Sequence, residues 1–257
     1  MAFKLDGTVL ITGASAGIGA ACARAFAAAG ARLILCARRT DRLKQMADEL
    51  KDTCGTESCL LELDVRDVGV VTRLIEDLPP QWAQVDVLVN NAGLGRGTDK
   101  LHEANSSEWD EMVDTNVKGL LYVTRAVVPG MVRRGRGHVI NLGSLAGHEV
   151  YPGGAVYCAT KHAVDAITRG LRMDLVGTGI RVSTVDPGMV QTEFSVVRFR
   201  GDAERAEKVY AGMTPLTPDD VADAVLYCAT RPPHVDIAEI VMMPVDQGST
   251  TLVHRRT

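Results

Sequence analysis

The chain has 257 residues, 46% of them apolar, and a formal net charge of −4. This length suits one large α/β domain with a substantial core, and the mildly acidic balance argues against nucleic acid as the main partner. No apolar run approaches the ~20 residues that span a bilayer, and the opening MAFKLDGTVLITG enters a strand without room for a leader, so the chain reads as soluble, intracellular and cytoplasmic.

In chain order, buried-strand patterns fall at 8–12 (TVLIT), 32–37 (RLILCA), 58–63, 85–90, 138–142, 180–185 and 239–243. Helical patterns lie between them at 17–30, 41–51, 107–134, 155–177 and 218–230, with Pro129 expected to kink the third. Apolar strands joined by helical crossovers predict an α/β fold, a Rossmann-type doubly wound parallel sheet in three layers. No repeat or linker interrupts residues 1–257, so a single domain is expected. Its most loop-like stretch, 188–203, is a candidate lid within a substrate-loop region near 188–215. Six cysteines include no C-x-x-C pair and no histidines at zinc spacing, so they read as reduced thiols and no metal site is expected. Cys54 and Cys59 flank a glycine, but a disulfide there conflicts with a reducing compartment.

The first strand runs into Thr12-Gly13-Ala14-Ser15-Ala16-Gly17-Ile18-Gly19 and then a helix. Glycines allow the tight turn and the close approach of a pyrophosphate, and the helix N-terminus offers free N–H groups. An ordinary βα turn rich in small residues is the alternative for this loop alone. At the end of the second strand stand Ala37, Arg38 and Arg39, with no carboxylate to repel a 2′-phosphate. A guanidinium can hold such a phosphate through parallel N–H bonds, and Ser15 can add a hydroxyl, which favours NADP. Two solvated helix-entry charges are the alternative.

The T-G-x-x-x-G-x-G spacing resembles the short-chain dehydrogenase/reductase family, and the resemblance continues along nearly the whole chain. Asn90-Asn91-Ala92-Gly93 follows the fourth strand, Asn116 lies on the next helix, and Ser144 follows the fifth strand. Tyr157-x-x-x-Lys161 lies in the following helix, and Pro187-Gly188 follows the sixth strand. The resemblance implies a dinucleotide-binding catalytic domain. Its cofactor residues would be Gly13, Ser15, Gly17, Ile18, Gly19, Arg38, Arg39, Asp64, Val65, Asn90, Ala92, Gly93, Tyr157, Lys161, Pro187, Gly188 and Thr192. Asp64 matches the position that meets the adenine, although a plain strand-end aspartate reads the same way.

Hydride transfer to a carbonyl leaves charge on oxygen, so one group must polarise that oxygen and another must move its proton. Tyrosine, with an ordinary pKa of ~10, needs a nearby cation to act as a base at neutral pH. Lys161, four residues after Tyr157, shares its helix face. The resemblance assigns Ser144 to the substrate oxygen, Lys161 also to the nicotinamide ribose, and Asn116 to a water chain reaching the lysine.

Residues 62–67, 112–119, 124–131, 152–157 and 192–202, with Met242-Met243-Pro244-Val245, are similar to the bacterial serine/3-hydroxy acid dehydrogenase branch. That likeness implies an NADP-dependent homotetramer whose helices at 107–134 and 155–177 pair across subunits. It would oxidise the hydroxyl of small 3-hydroxy acids such as serine, or reduce the semialdehydes. Arg198, set among apolar residues in FSVVRFR, is then the candidate for the substrate acid group, with Gln247 as a second contact; a snorkelling surface arginine is the alternative. Arg200 stands nearer a turn and reads as solvated. His148 and Glu149 depart from the branch and give the pocket wall a charged character. Reduction of sulfonated aldehydes or uncharged ketones is the alternative enzyme reading, and an NADPH-binding sensor the non-enzyme one.

Overall fold

The computed structural model describes residues 5–256; residues 1–4, part of the stretch from which the lack of a leader is read, lie outside the described residues. Seven strands form one sheet: β1 (Thr8–Thr12), β2 (Arg32–Ala37), β3 (Ser58–Glu62), β4 (Val87–Asn90), β5 (Gly137–Leu142), β6 (Ile180–Pro187) and β7 (Glu239–Met242). The order is β3-β2-β1-β4-β5-β6-β7 and each pairing is parallel. The helices are α1 (Gly17–Ala28), α2 (Thr40–Cys54), α3 (Val68–Glu76), α4 (Ser106–Val113), α5 (Leu120–Arg134), α6 (Ala155–Asp174), α7 (Phe194–Arg198), α8 (Ala203–Lys208) and α9 (Pro218–Ala229).

The pleat explains why the strand sequences are apolar without alternation. Val9, Ile11, Leu33, Leu35, Val87 and Val89 face a core shared with α1 and α9. Their neighbours Leu10, Ile34, Cys36 and Leu88 face a second core with α3 and α5. Both faces are covered, giving the three layers, and apolar burial at roughly 25 cal/mol per Å² is the main stabilising term. The sheet order reverses between β1 and β4, so a crevice opens beyond the carboxyl ends of those strands, where such sheets bind ligands.

Two departures from the sequence reading bear on the site. The helix expected at 107–134 is divided by a π-helical segment, Asp114–Gly119, between α4 and α5. Pro129 sits inside α5, which runs to Arg134, the end expected from the sequence, and closes at Gly135, whose φ of +66° suits glycine. The loop expected at 188–203 carries α7, so its substrate-facing residues are mounted on a helical turn.

Candidate active site

The crevice is a cleft of about 520 Å³ that collects residues from both ends of the sequence reading. At one end lies the glycine loop. Gly13 has φ +67°, and a Cβ there would come within 2.9 Å of Asn91 Nδ2 and 3.1 Å of Ala92 Cα. A Cβ on Gly19 would lie 2.4 Å from the Gly13 carbonyl oxygen, so α1 crosses its own loop too closely for any side chain. Asn91 Nδ2 donates to the carbonyls of Thr12 (2.9 Å) and Gly13 (3.3 Å), while Thr12 Oγ1 accepts from the amides of Asn91 and Ala92. Helix α1 has no side-chain cap and no acidic residue in its first turn. Its leading amides are therefore left to an anion, and the cradle fits a dinucleotide pyrophosphate.

Of the expected cofactor residues, Gly13, Ser15, Gly17, Ile18, Arg38, Arg39, Asp64, Val65, Ala92, Gly93, Tyr157, Lys161, Pro187, Gly188 and Thr192 line this cleft. Gly19 does not line it; it packs α1 onto the loop. Asn90 does not line it either. It is buried, and its Nδ2 donates to Thr124 Oγ1 and Asn141 Oδ1, both at 2.9 Å. Its neighbour Asn91, absent from the expected cofactor set, lines the cleft and braces the glycine loop. Asp64 accepts four hydrogen bonds from Arg66, one from its amide and three from its guanidinium, down to 2.5 Å, and that arginine first, with Arg38 a lesser influence, holds its carboxyl below the ordinary range. Arg39 Nε donates to Ser15 Oγ at 3.3 Å.

At the other end, Ser144 follows β5 and its Oγ accepts from the Ala146 amide at 3.1 Å, capping a single helical turn, Leu145–Gly147. Tyr157, in α6, lines the same cleft as Ser144. Burial pushes the Tyr157 phenol up from its ordinary value, opposed by the Arg198 charge and by the nearby Ser144 hydroxyl. Arg198 thus joins Lys161, four residues along α6 from Tyr157, as a cation lining the same cleft as the phenol. Lys161 is buried and its Nζ donates to the Leu142 carbonyl at 2.8 Å. Burial pulls its pKa down to about 8, opposed by the Asp186 carboxylate.

Asn116 sits in the π-helical segment, a feature frequent at functional sites. It does not line the cleft. Its Oδ1 accepts from the Leu94 amide (2.8 Å), and its Nδ2 donates to the Leu94 carbonyl (2.8 Å) and to Thr160 Oγ1 (3.0 Å). Asn116 therefore ties the segment after β4 to α6, one residue from Lys161. A Cβ on Gly93 would lie 3.3 Å from Asn116 Oδ1 and 3.8 Å from Lys161 Nζ.

Arg198 reaches into this end from α7. Its Cζ lies 4.9 Å from the centres of the Tyr157 and Phe194 rings, and it donates to the Tyr151 hydroxyl at 3.0 Å. Its Nε is buried without a hydrogen-bond partner among the described residues. The helix is held down by the Gly97 amide on the Arg198 carbonyl (3.1 Å), by Arg96 on the Val197 carbonyl, and by an Arg200–Glu108 ion pair (2.9 Å). Arg200 is exposed (57%), as the sequence reading expected, and pairs with Glu108 from the surface.

Gln247 lines the cleft, but both polar groups are engaged by backbone. Oε1 accepts from the Met189 amide at 2.8 Å and Nε2 donates to the Ser249 carbonyl at 3.1 Å. Neither His148 nor Glu149 lines the cleft. Glu149 accepts from the amide and hydroxyl of Thr250, pinning the tail that lines it. His148 Nε2 lies 3.2 Å from Asp186 Oδ2 and 3.4 Å from Glu239 Oε1. The charged character of this wall is directed away from the cleft.

Residues 7–202 match the family model for short chain dehydrogenases, and the chain belongs to that family. It is 49% identical over 249 residues to the NADP-dependent 3-hydroxy acid dehydrogenase of Salmonella typhi, covering 96% of this chain and 99% of that one. It is 45% identical over 241 residues to sulfoacetaldehyde reductase 2 of Chromohalobacter salexigens, covering 93% and 95%. Among solved structures, the closed form of a serine dehydrogenase complexed with NADP+ superimposes with a TM-score of 0.90 at 47% identity, covering 97% of this chain and 100% of that one.

Proposed function

We propose that this chain is an NADP(H)-dependent oxidoreductase that oxidises the hydroxyl of small 3-hydroxy acids such as serine, or reduces the corresponding semialdehydes. The observation that carries the reading is Arg198, a cation fixed beside Tyr157 in the same cleft as Ser144. A small hydroxy acid has little apolar surface, so its anion must supply much of the binding, and a guanidinium can clamp a carboxylate through parallel N–H bonds.

The nicotinamide, when bound, takes or gives the hydride. The protein's own groups manage the oxygen and its proton. Ser144 Oγ and the Tyr157 hydroxyl bracket the reacting oxygen. With its pKa pushed up, Tyr157 holds its proton at neutral pH and can deliver it to the oxygen during reduction; oxidation needs the phenolate. Lys161, with one proton spent on the Leu142 carbonyl, has two others to offer the cofactor ribose and a water chain. Asn116 acts on that chain by position, joining the Leu94 backbone to α6. Arg38, with Arg39 and Ser15, holds the 2′-phosphate, and the amides leading α1 hold the pyrophosphate. Gln247 supports the substrate end by fixing the Met189 backbone.

A sulfonated aldehyde is the second reading, because a sulfonate meets Arg198 with the same chemistry and sulfoacetaldehyde reductase 2 is 45% identical. Turnover of serine, 3-hydroxypropionate and isethionate with NADP+, compared in one assay, separates the two.

The working form is a homotetramer in the cytoplasm. Exposed apolar side chains on and just beyond the two long helices support assembly, among them Leu121 (41%), Val132 (40%), Met173 (76%) and Val176 (80%). Among the described residues, no helix is long and apolar enough to cross a membrane. Light scattering at micromolar concentration tests the assembly; a monomer would count against it.

A further inference from the structure

Glu193 immediately precedes α7, at the position where an acidic side chain ordinarily bonds the helix's own amides. It makes no such bond. Thr192 Oγ1 accepts from the Phe194 amide instead, at 3.0 Å. The Glu193 carboxylate turns the other way, across the cleft mouth, with Oε2 3.0 Å from Arg39 Nη1 and Oε1 2.6 Å from Arg42 Nη1. Arg42 first and Arg39 second hold that carboxyl below its ordinary range. Each of the three side chains is almost half exposed, so either ion pair alone stabilises little. Their arrangement is what matters. Arg39 is fixed at two atoms, Nε on Ser15 Oγ and Nη1 on Glu193, which leaves Nη2 without a partner among the described residues and its plane oriented.

The charges also balance. Arg38, Arg39 and Arg42 contribute three positive charges and Glu193 one negative, leaving two. A 2′-phosphate brings about −2, by analogy with other phosphate monoesters. Arg38 lines the cleft with no hydrogen bond or ion pair among the described residues. Asp64, the other carboxylate here, is already bound to Arg66. Nothing in this arrangement requires the phosphate to displace Glu193.

We infer that Glu193 is a positioning residue for the 2′-phosphate site: together with Arg42 it holds Arg39 in the orientation that receives the phosphate, and so joins selection of NADP over NAD to the segment that carries Arg198. This rests on the NADP reading above. Arg42 does not line the cleft, so its contribution passes through Glu193.

The test is calorimetric titration of the full-length protein with NADP+, NAD+ and 2′,5′-ADP, without turnover. Glu193→Gln removes the charge but keeps the size of a surface side chain. It is expected to weaken NADP+ and 2′,5′-ADP about three- to tenfold and to leave NAD+ within twofold. Arg42→Met should give the same pattern, and the double variant should be no worse than either single one. Tighter NADP+ binding by Glu193→Gln would mean that the carboxylate competes with the phosphate, and would overturn the inference. So would unchanged NADP+ binding, or an equal loss for NAD+, which would mark a merely structural contact. If the unmutated protein binds NAD+ as tightly as NADP+, the NADP reading itself fails, a result distinguishable from all of these.

Discussion

The Arg198 guanidinium lies 4.9 Å from the centre of the Tyr157 ring, so the residue proposed to hold the substrate's acid group also acts on the residue proposed to move its proton. Arg198 opposes the burial that raises the Tyr157 pKa. The two functions separate by reaction direction. Arg198→Met should cut kcat/KM for serine or 3-hydroxypropionate by roughly ten- to a hundredfold, the loss of a charge-assisted bond. An uncharged aldehyde, reduced at neutral pH where Tyr157 is protonated in both proteins, should be nearly unaffected. Equal losses on both substrates in steady-state assays would reduce Arg198 to a structural residue.

The pH dependence follows from the same pair. Oxidation needs Tyr157 without its proton, and burial has raised the pKa, so oxidation should quicken as pH rises through the neutral and mildly alkaline range. Reduction needs the protonated form and should weaken only as the phenol ionises. Removing the Arg198 charge raises the Tyr157 pKa further and should move the oxidation limb to higher pH, even for an uncharged alcohol. Profiles of kcat/KM in both directions check this; an oxidation limb that stays put in Arg198→Met would contradict the coupling.

Tyr157→Phe keeps the ring and removes the proton carrier. The expected loss in kcat is roughly a hundredfold or more, with NADPH binding nearly intact by fluorescence titration. A variant that retains half its activity would remove Tyr157 from the proposed chemistry.

Cofactor choice has its own test at Arg38. NADP+ should exceed NAD+ by at least roughly tenfold in kcat/KM, and Arg38→Asp should erase most of that ratio by placing a carboxylate where the phosphate belongs. Equal efficiency in the unmutated enzyme would contradict the reading.

Gly19→Ala probes the cradle without touching a cleft-lining side chain. The new Cβ would meet the Gly13 carbonyl at 2.4 Å, a backbone atom that cannot yield without moving the loop. A loss of roughly 1–3 kcal/mol in urea unfolding is expected, with weakened cofactor binding. Native stability and native NADP+ affinity together would show that the loop has slack.

The strands and their burial were legible because each is a short apolar run between turn-forming residues, and the pleat sends such a run into two cores. The same pleat explains the reading of Asn90. Side chains alternate across a strand end, so Asn90 enters the core toward Thr124 and Asn141 while Asn91 turns to the glycine loop. Sequence spacing does not say which of two adjacent asparagines faces which way. The π-helical segment around Asn116 was illegible because one widened turn leaves the apolar period of the flanking helices intact. Glu193 escaped notice because its partners stand 151 and 154 residues away. His148 and Glu149 were noticed for their charge, but only the fold reveals that Asp186, Glu239 and Thr250 draw them out of the cleft.

The most direct test of the central claim is NADPH formation by the unmutated protein with L-serine, 3-hydroxypropionate and an uncharged alcohol of the same length. Activity on the hydroxy acids that exceeds the uncharged alcohol by roughly tenfold or more in kcat/KM, with NADP+ preferred over NAD+, is the result expected for a cleft in which Arg198 binds the anion beside Tyr157. Equal activity on charged and uncharged alcohols, or no turnover of any of them, would contradict it.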